Sequence, residues 1–187
     1  MEFQTLDLPD LLHIRPSRHG DERGYFSEIY RQDAFAAHAG NVSFVQENQS
    51  FSQRRGTIRG LHFQTVPYAQ GKLVRCLAGA IWDVAVDLRH GSPTFGQWAS
   101  VELSAAEGNQ LWIPEGFAHG FCTLETDTVV CYKVTSYYSP ECDRGVIWND
   151  STLGLEWPGI ADPTSLSNKD RVQPTLADLP IYFKYEA

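Results

Sequence analysis

The chain has 187 residues, 42% of them apolar and 20% charged, which argues against disorder, and no run of about 18 apolar residues is present to span a membrane. Its length fits one domain able to bury a core without disulfide or metal staples, so residues 1–187 are expected to form a single domain. A formal net charge of −8 speaks against binding of nucleic-acid polymers, while a local basic pocket could still hold an anionic small molecule.

The opening stretch MEFQTLDLPDLLHIRP carries acidic residues where a secretory signal would carry basic and apolar ones, so a cytoplasmic protein that engages no membrane is expected. The Asn-x-Ser triplets at Asn41, Asn48 and Asn149 are then not read as glycosylation acceptors. The region before about residue 70 is mixed, with one short helix at DAFAAHAG and Gly40 as its C-terminal stop. From there to about residue 150, short apolar or alternating runs are each closed by a turn signal, at roughly the 8–12 residue spacing of antiparallel β proteins. The runs are KLVRCLAG, AIWDVAVDLR, FGQWASVEL, NQLWIP, GFAHGFCTLE and TVVCYKVTSYY, and they predict an all-β sandwich or barrel. Within WDVAVDL, a period of two puts Trp82, Val84, Val86 and Leu88 on one face, the expected core face, and Asp83, Ala85 and Asp87 on the other. In the last of the runs Tyr132 and Tyr138 are an even number apart, so an unbroken strand points both inward with Val130 and Val134. The tail from Trp157 holds Pro158, Pro163, Pro174 and Pro180, which favour extended loops and brief helices wrapped on the barrel. Cys76, Cys122, Cys131 and Cys142 show no C-x-x-C spacing and are read as buried or free thiols.

The sharpest chemical motif is GNQLWIPEGFAHGF, in which Gly108, Pro114, Gly116 and His119 resemble the second signature of the cupin barrels and aim His119 into a barrel mouth. The first signature offers only His62, followed by Phe63 and Gln64, and Tyr68 stands where a glutamate ligand would be needed. Two histidines are too few for a firm zinc or iron site, so no metal and no other cofactor is expected.

Taken in order, RGYFSE, VQENQS, IRGLHFQ, GKLVR, DLRHGSPTFG, PEGFAHGF, YKVTSYYSPECDRG and SNKD resemble the dTDP-4-dehydrorhamnose 3,5-epimerase family over nearly the whole chain. The resemblance implies a cupin-type jelly-roll β-barrel with short helices in the N-terminal region and C-terminal tail. It also implies a dTDP-linked 4-keto-6-deoxy sugar as substrate, and a homodimer whose N-terminal strands contribute across the interface. The family's roles fall on His62 as general base, Asp170 as the carboxylate that orients it, Tyr132 as acid and Lys72 as the cation beside the enolate oxygen. Arg23 and Arg59 match positions that pair with the diphosphate, and Tyr138 matches a stacking platform for thymine. Phe26, Glu28, Gln46, Asn48, His119, Asp143 and Lys169 match further substrate contacts. Asp143 is a departure, because the family pattern more often has Glu there, and Cys142 beside it is also unusual. The readings left open beside the double epimerase are a single-centre epimerase, a sugar-nucleotide binder without catalysis, and a metal-dependent cupin.

Overall fold

The structure is a computed structural model that describes residues 1–185. Its strands are β1 (Glu2–Thr5), β2 (Leu12–Arg15), β3 (Arg18–Asp21), β4 (Gly24–Ser27), β5 (Gln46–Ser52), β6 (Ile58–Gln64), β7 (Lys72–Ala78) and β8 (Ala80–Asp87), then β9 (Arg89–His90), β10 (Trp98–Ser104), β11 (Gln110–Ile113), β12 (Phe117–Thr123), β13 (Thr128–Val134), β14 (Asp143–Gly145) and β15 (Phe183–Lys184). One helix, α1 (Gln32–Ala39), lies between β4 and β5, and the tail has single 3-10 turns at Pro163–Ser165, Asp170–Val172 and Leu176–Asp178.

Two antiparallel sheets face each other as a cupin-type jelly roll: six strands in the order β1-β2-β11-β7-β13-β5, and five in the order β10-β8-β12-β6-β14. Between them the inward side chains of alternating strands, including Leu11, Val74, Ile81, Leu103, Leu111, Phe121 and Val130, close one end of the interior as apolar core. The other end stays polar and open.

The strand runs from residue 72 onward fall where the turn signals bound them, and α1 stops at Gly40, whose φ of 78° and N–H to the Ala36 carbonyl form its C-terminal cap. Phe35 of α1 packs on the outer face of the six-stranded sheet with Leu12, Leu73 and Trp112. Gly71 is required there, because a Cβ would lie 2.4 Å from the Trp112 ring.

Two expectations are corrected. β8 is buried on both faces rather than one: Ile81 and Ala85 join the interior core, while Val84, Val86 and Leu88 join a second core on the outside of the five-stranded sheet. Local periodicity could not register this, since the cover comes from Leu153, Trp157, Leu176 and Phe183, far along the chain. The run TVVCYKVTSYY is also not an unbroken strand, for β13 ends at Val134. Beyond it the buried Gln64 side chain donates to the carbonyls of Tyr68 and Tyr137 and accepts from the Ser139 N–H, which folds residues 135–139 into a loop. No helix among the described residues is long and apolar enough to cross a membrane.

The tail is fastened by Asp150, a buried carboxylate that accepts from the N–H groups of Thr152, Leu153 and Leu176 at 2.7, 3.0 and 2.7 Å. Asp150→Ala leaves the buried N–H groups of Leu153 and Leu176 without their acceptor, at roughly 1–3 kcal/mol each. The expected outcome is a clear fall in the urea unfolding midpoint, and an unchanged midpoint would remove Asp150 from this role.

Candidate active site

The polar end of the barrel opens into a cavity of about 480 Å³, within the range that holds a small organic ligand. Its geometry begins at a bulge in β6. His62 pairs in register with His119 of β12, and the next pair is Arg59 with Phe121, so β6 spends one more residue than its partner between these points. In a regular strand Arg59 and His62 would face opposite ways, but the bulge lets both line the cavity. Glycines make the crossing possible: a Cβ on Gly60, whose φ is 127°, would lie 2.5 Å from the Gly120 Cα.

The two sheets present different chemistry. On the five-stranded sheet stand His62 and His119, each paired with a carboxylate. His62 Nε2 lies 2.5 Å from Asp170 Oδ1, and Asp170 is 3% exposed at the head of a tail 3-10 turn, where its N–H donates to Ser167 Oγ. Burial alone would push the Asp170 carboxyl up, but the hydrogen bond and charge of His62, with Ser167 and Lys169, hold it below the usual carboxylate range. With Nε2 engaged, His62 Nδ1 is the ring nitrogen without a hydrogen-bond partner among the described residues. His119 Nε2 lies 2.9 and 3.0 Å from the two oxygens of Asp83, and both residues are buried.

The six-stranded sheet supplies Lys72 and Tyr132, adjacent through the Lys72–Val134 and Val74–Tyr132 register of β7 and β13. Lys72 Nζ donates to the His62 carbonyl at 3.1 Å and makes no ion pair among the described residues. Burial lowers its pKa to about 8, partly offset by the charges of Asp143 and Asp83. Burial also raises the Tyr132 phenol above its ordinary value, with Arg59 opposing and Asp143 adding to the rise.

At the mouth, Tyr138 stands on the loop after β13, its N–H held by Gln46 Oε1 at 3.0 Å and its hydroxyl donating to Asp143 at 3.2 Å. Gln46 in turn donates to Asn48 at 2.7 Å, and Lys169 forms an ion pair with Asp143. Arg59 is braced by Ser52 Oγ and the Phe51 carbonyl.

The cavity thus gathers His62, Tyr132, Asp170 and Lys72 together with Gln46, Asn48, Arg59, His119, Tyr138, Asp143 and Lys169. Arg23, Phe26 and Glu28 are not brought to it. They belong to the exposed β3–β4 hairpin and its exit, where Arg23 pairs with Asp21, Glu28 with Arg31, and Phe26 is 73% exposed. Residues that sequence reading missed include Ser50, whose Oγ is buried without a partner, and Gln64, Gln70 and Ser167. Asp83, behind His119, was also missed as a site residue. Its signal was visible as an acid inside the apolar strand WDVAVDL.

A jelly roll that sets two histidine–carboxylate pairs on one wall against a buried lysine and a half-buried phenol on the other places the groups of acid–base chemistry on a cupin-type scaffold. The comparisons make this particular. The profile of the family described as dTDP-4-dehydrorhamnose 3,5-epimerase matches residues 5–178. A dTDP-4-dehydrorhamnose 3,5-epimerase of Sinorhizobium fredii is 54% identical over 185 residues, covering 99% of this chain and 94% of the relative. The crystal structure of dTDP-6-deoxy-D-glucose-3,5-epimerase from Legionella pneumophila in complex with dTDP-4-keto-L-rhamnose is 41% identical with a TM-score of 0.92, covering 100% of this chain and 99% of that one. That of a 3′-monoepimerase from Streptomyces bikiniensis in complex with dTDP-quinovose is 34% identical with a TM-score of 0.86, covering 92% and 87%. The chain belongs to the dTDP-4-dehydrorhamnose 3,5-epimerase family and is an isomerase.

The buried Lys72 has a consequence for stability. Below about pH 8 folded and unfolded chains both hold its proton, so the burial cost is fully present; between about 8 and the ordinary 10.5 only the unfolded lysine keeps it. Lys72 therefore relieves its own penalty as pH rises through that window. Lys72→Met is expected to stabilise the protein most at neutral pH and progressively less toward about pH 10, measured by urea unfolding across that range. A pH-independent difference would show that Lys72 is not desolvated.

Proposed function

We propose that this chain, acting as one domain over residues 1–187, inverts C3 and C5 of dTDP-4-dehydro-6-deoxy-D-glucose to give dTDP-4-dehydro-L-rhamnose, with His62 as base and Tyr132 as acid. The observation that carries the reading is the placement of His62 and Tyr132 on facing sheets of one cavity. Epimerisation removes a proton from one face of a carbon and returns one to the other, so base and acid must stand on opposite walls.

The 4-keto group makes the protons on both neighbouring carbons acidic. His62 Nδ1 takes one of them, the C–H electron pair forms a C=C bond, and the carbonyl π pair moves onto the C4 oxygen as an enolate. Asp170 holds the ring with its proton on Nε2 and stabilises the imidazolium that results. Lys72, with no carboxylate paired to it among the described residues, offers its ammonium to the enolate oxygen. The enolate then collapses and its carbon takes the Tyr132 proton on the opposite face, leaving a phenolate that solvent reprotonates while the His62 imidazolium returns its proton to solvent. Each positioned acid or base is worth about 10²- to 10⁴-fold. This scheme needs no metal, because the lysine takes the place of a Lewis acid at the oxygen.

Arg59 is assigned to the diphosphate and Tyr138 to the thymine face, with Gln46, Asn48, Asp143, Lys169 and His119 as further polar contacts. Asp143, although shorter than Glu, still meets both Tyr138 and Lys169. Arg23, Phe26 and Glu28 reach a substrate only from another copy, so the proposed assembly is a homodimer in which each β3–β4 hairpin completes the partner's cavity. The Legionella pneumophila relative in complex with dTDP-4-keto-L-rhamnose supports the substrate class. The 3′-monoepimerase relative keeps single-centre inversion as the second reading.

The reaction is tested by proton NMR in D₂O with dTDP-4-keto-6-deoxyglucose. Deuterium is expected at both C3 and C5; entry at one carbon would establish the single-centre enzyme, and none despite dTDP binding would leave a binder without catalysis. His62→Ala is expected to lower turnover by at least about 10²-fold while dTDP affinity stays nearly intact, and retained turnover would remove His62 from its role. Because Lys72 is cationic below about pH 8 and neutral above it, kcat/KM is expected to fall as pH rises through about 8. Tyr132, with its pKa raised, remains a proton donor there, so that limb belongs to the lysine.

A further inference from the structure

Asp83 has no exposed surface and is not among the residues that line the cavity, yet both its oxygens meet a side chain that does. It stands on β8 with β10 on one side and β12 on the other, opposite Phe121 in the β12 register, in a strand otherwise apolar from Ala80 to Val86. A carboxylate so enclosed is costly unless it is paired. Its pairing with His119 fixes more than an angle. A neutral His119 must carry its proton on Nε2 to donate to Asp83, which leaves Nδ1 as an acceptor, and Nδ1 has no partner among the described residues.

Resting on the epimerase reading above, we propose that Asp83 is a positioning residue for the reaction: from behind the cavity wall it fixes the His119 ring with Nδ1 presented to a sugar hydroxyl, and it is a buried counter-charge for Lys72. A ring hydroxyl of the substrate is the matching donor for a histidine acceptor, and His119 adjoins His62 in register, so the contact falls beside the carbon that loses its proton. The second part of the role is electrostatic. Burial lowers the Lys72 pKa to about 8, and the charges of Asp143 and Asp83 hold it from falling further, against Lys169. Asp143 is itself engaged by Lys169. The other ionisable groups of the cavity are Arg59 and His62 on β6, His119 on β12, Tyr132 on β13, Tyr138 on the loop after it and Asp170 on the tail. Of the carboxylates, Asp170 is committed to His62, so Asp83 is the one that His119 and Lys72 share: burial raises its carboxyl above the ordinary value, and the charge and hydrogen bond of His119 and the charge of Lys72 pull it back toward the ionised form.

Asp83→Asn keeps the shape and an oxygen for His119 while removing the charge. The expected result is a fall in kcat of about 10- to 100-fold, as when the partner of an oriented histidine is lost. The falling limb of kcat/KM should move to lower pH, while dTDP affinity stays nearly intact because the groups assigned to the nucleotide are untouched. A merely structural Asp83 would alter stability and leave the limb where it is, and an unmoved limb in the folded variant would overturn the proposal. An independent check uses the unsubstituted protein with ¹⁵N-labelled histidine: long-range ¹H–¹⁵N correlations should show His119 protonated on Nε2. A neutral His119 protonated on Nδ1 would equally overturn it. That spectrum needs no substrate, so it tests the inference even if the wild-type protein fails to turn over the keto sugar.

Discussion

An ammonium group enclosed in a β-barrel is the constraint around which this site is arranged. Lys72 loses most of its water to the packing of two sheets, and among the described residues no carboxylate pairs with it. A direct ion pair would have quenched the charge, whereas a lone backbone carbonyl leaves donor capacity and field for an incoming oxyanion. Negative charge is kept at one remove, since Asp143 is held by Lys169 and Asp83 by His119. The lysine therefore stays close to titration, as a group that must respond to charge developing on a ligand should be.

The barrel contributes by separation. His62 and His119 sit on one sheet, Lys72 and Tyr132 on the other, and the apolar floor from Phe121 to Val130 fixes the distance between the walls. Residues proposed for chemistry stand on strands, apart from Asp170. Those proposed for the nucleotide, such as Tyr138 and Lys169, include loop residues at the mouth, where Gln64 and Gln46 hold the backbone in place.

Much of this was legible in the sequence because it is local. Turn residues bound the strands, Gly40 ends the one helix, and the motifs around His62, Lys72, Tyr132 and Asp170 converge on one cavity. What was not legible depends on contacts distant in sequence. The tail's burial of the outer face of β8 is invisible to a period of two read over seven residues, and the end of β13 depends on Gln64, which lies seventy residues away from it. The bulge in β6 left a trace in Gly60, but one glycine does not announce a register shift. Arg23, Phe26 and Glu28 were read through resemblance alone, and within a single chain they have no part in the cavity.

The path of the tail couples two levels of order. The segment that carries Asp170 against His62 continues through Leu176, clamped by Asp150, into the outer core. Detaching this strap would leave the two sheets paired, for none of their strands comes from it. It would nevertheless strip the base of its orienting carboxylate. The protein thus has a natural seam along which partial opening silences the chemistry before the barrel melts, so heat inactivation should precede loss of the β-sheet signal in circular dichroism, and coincident transitions would refute the seam.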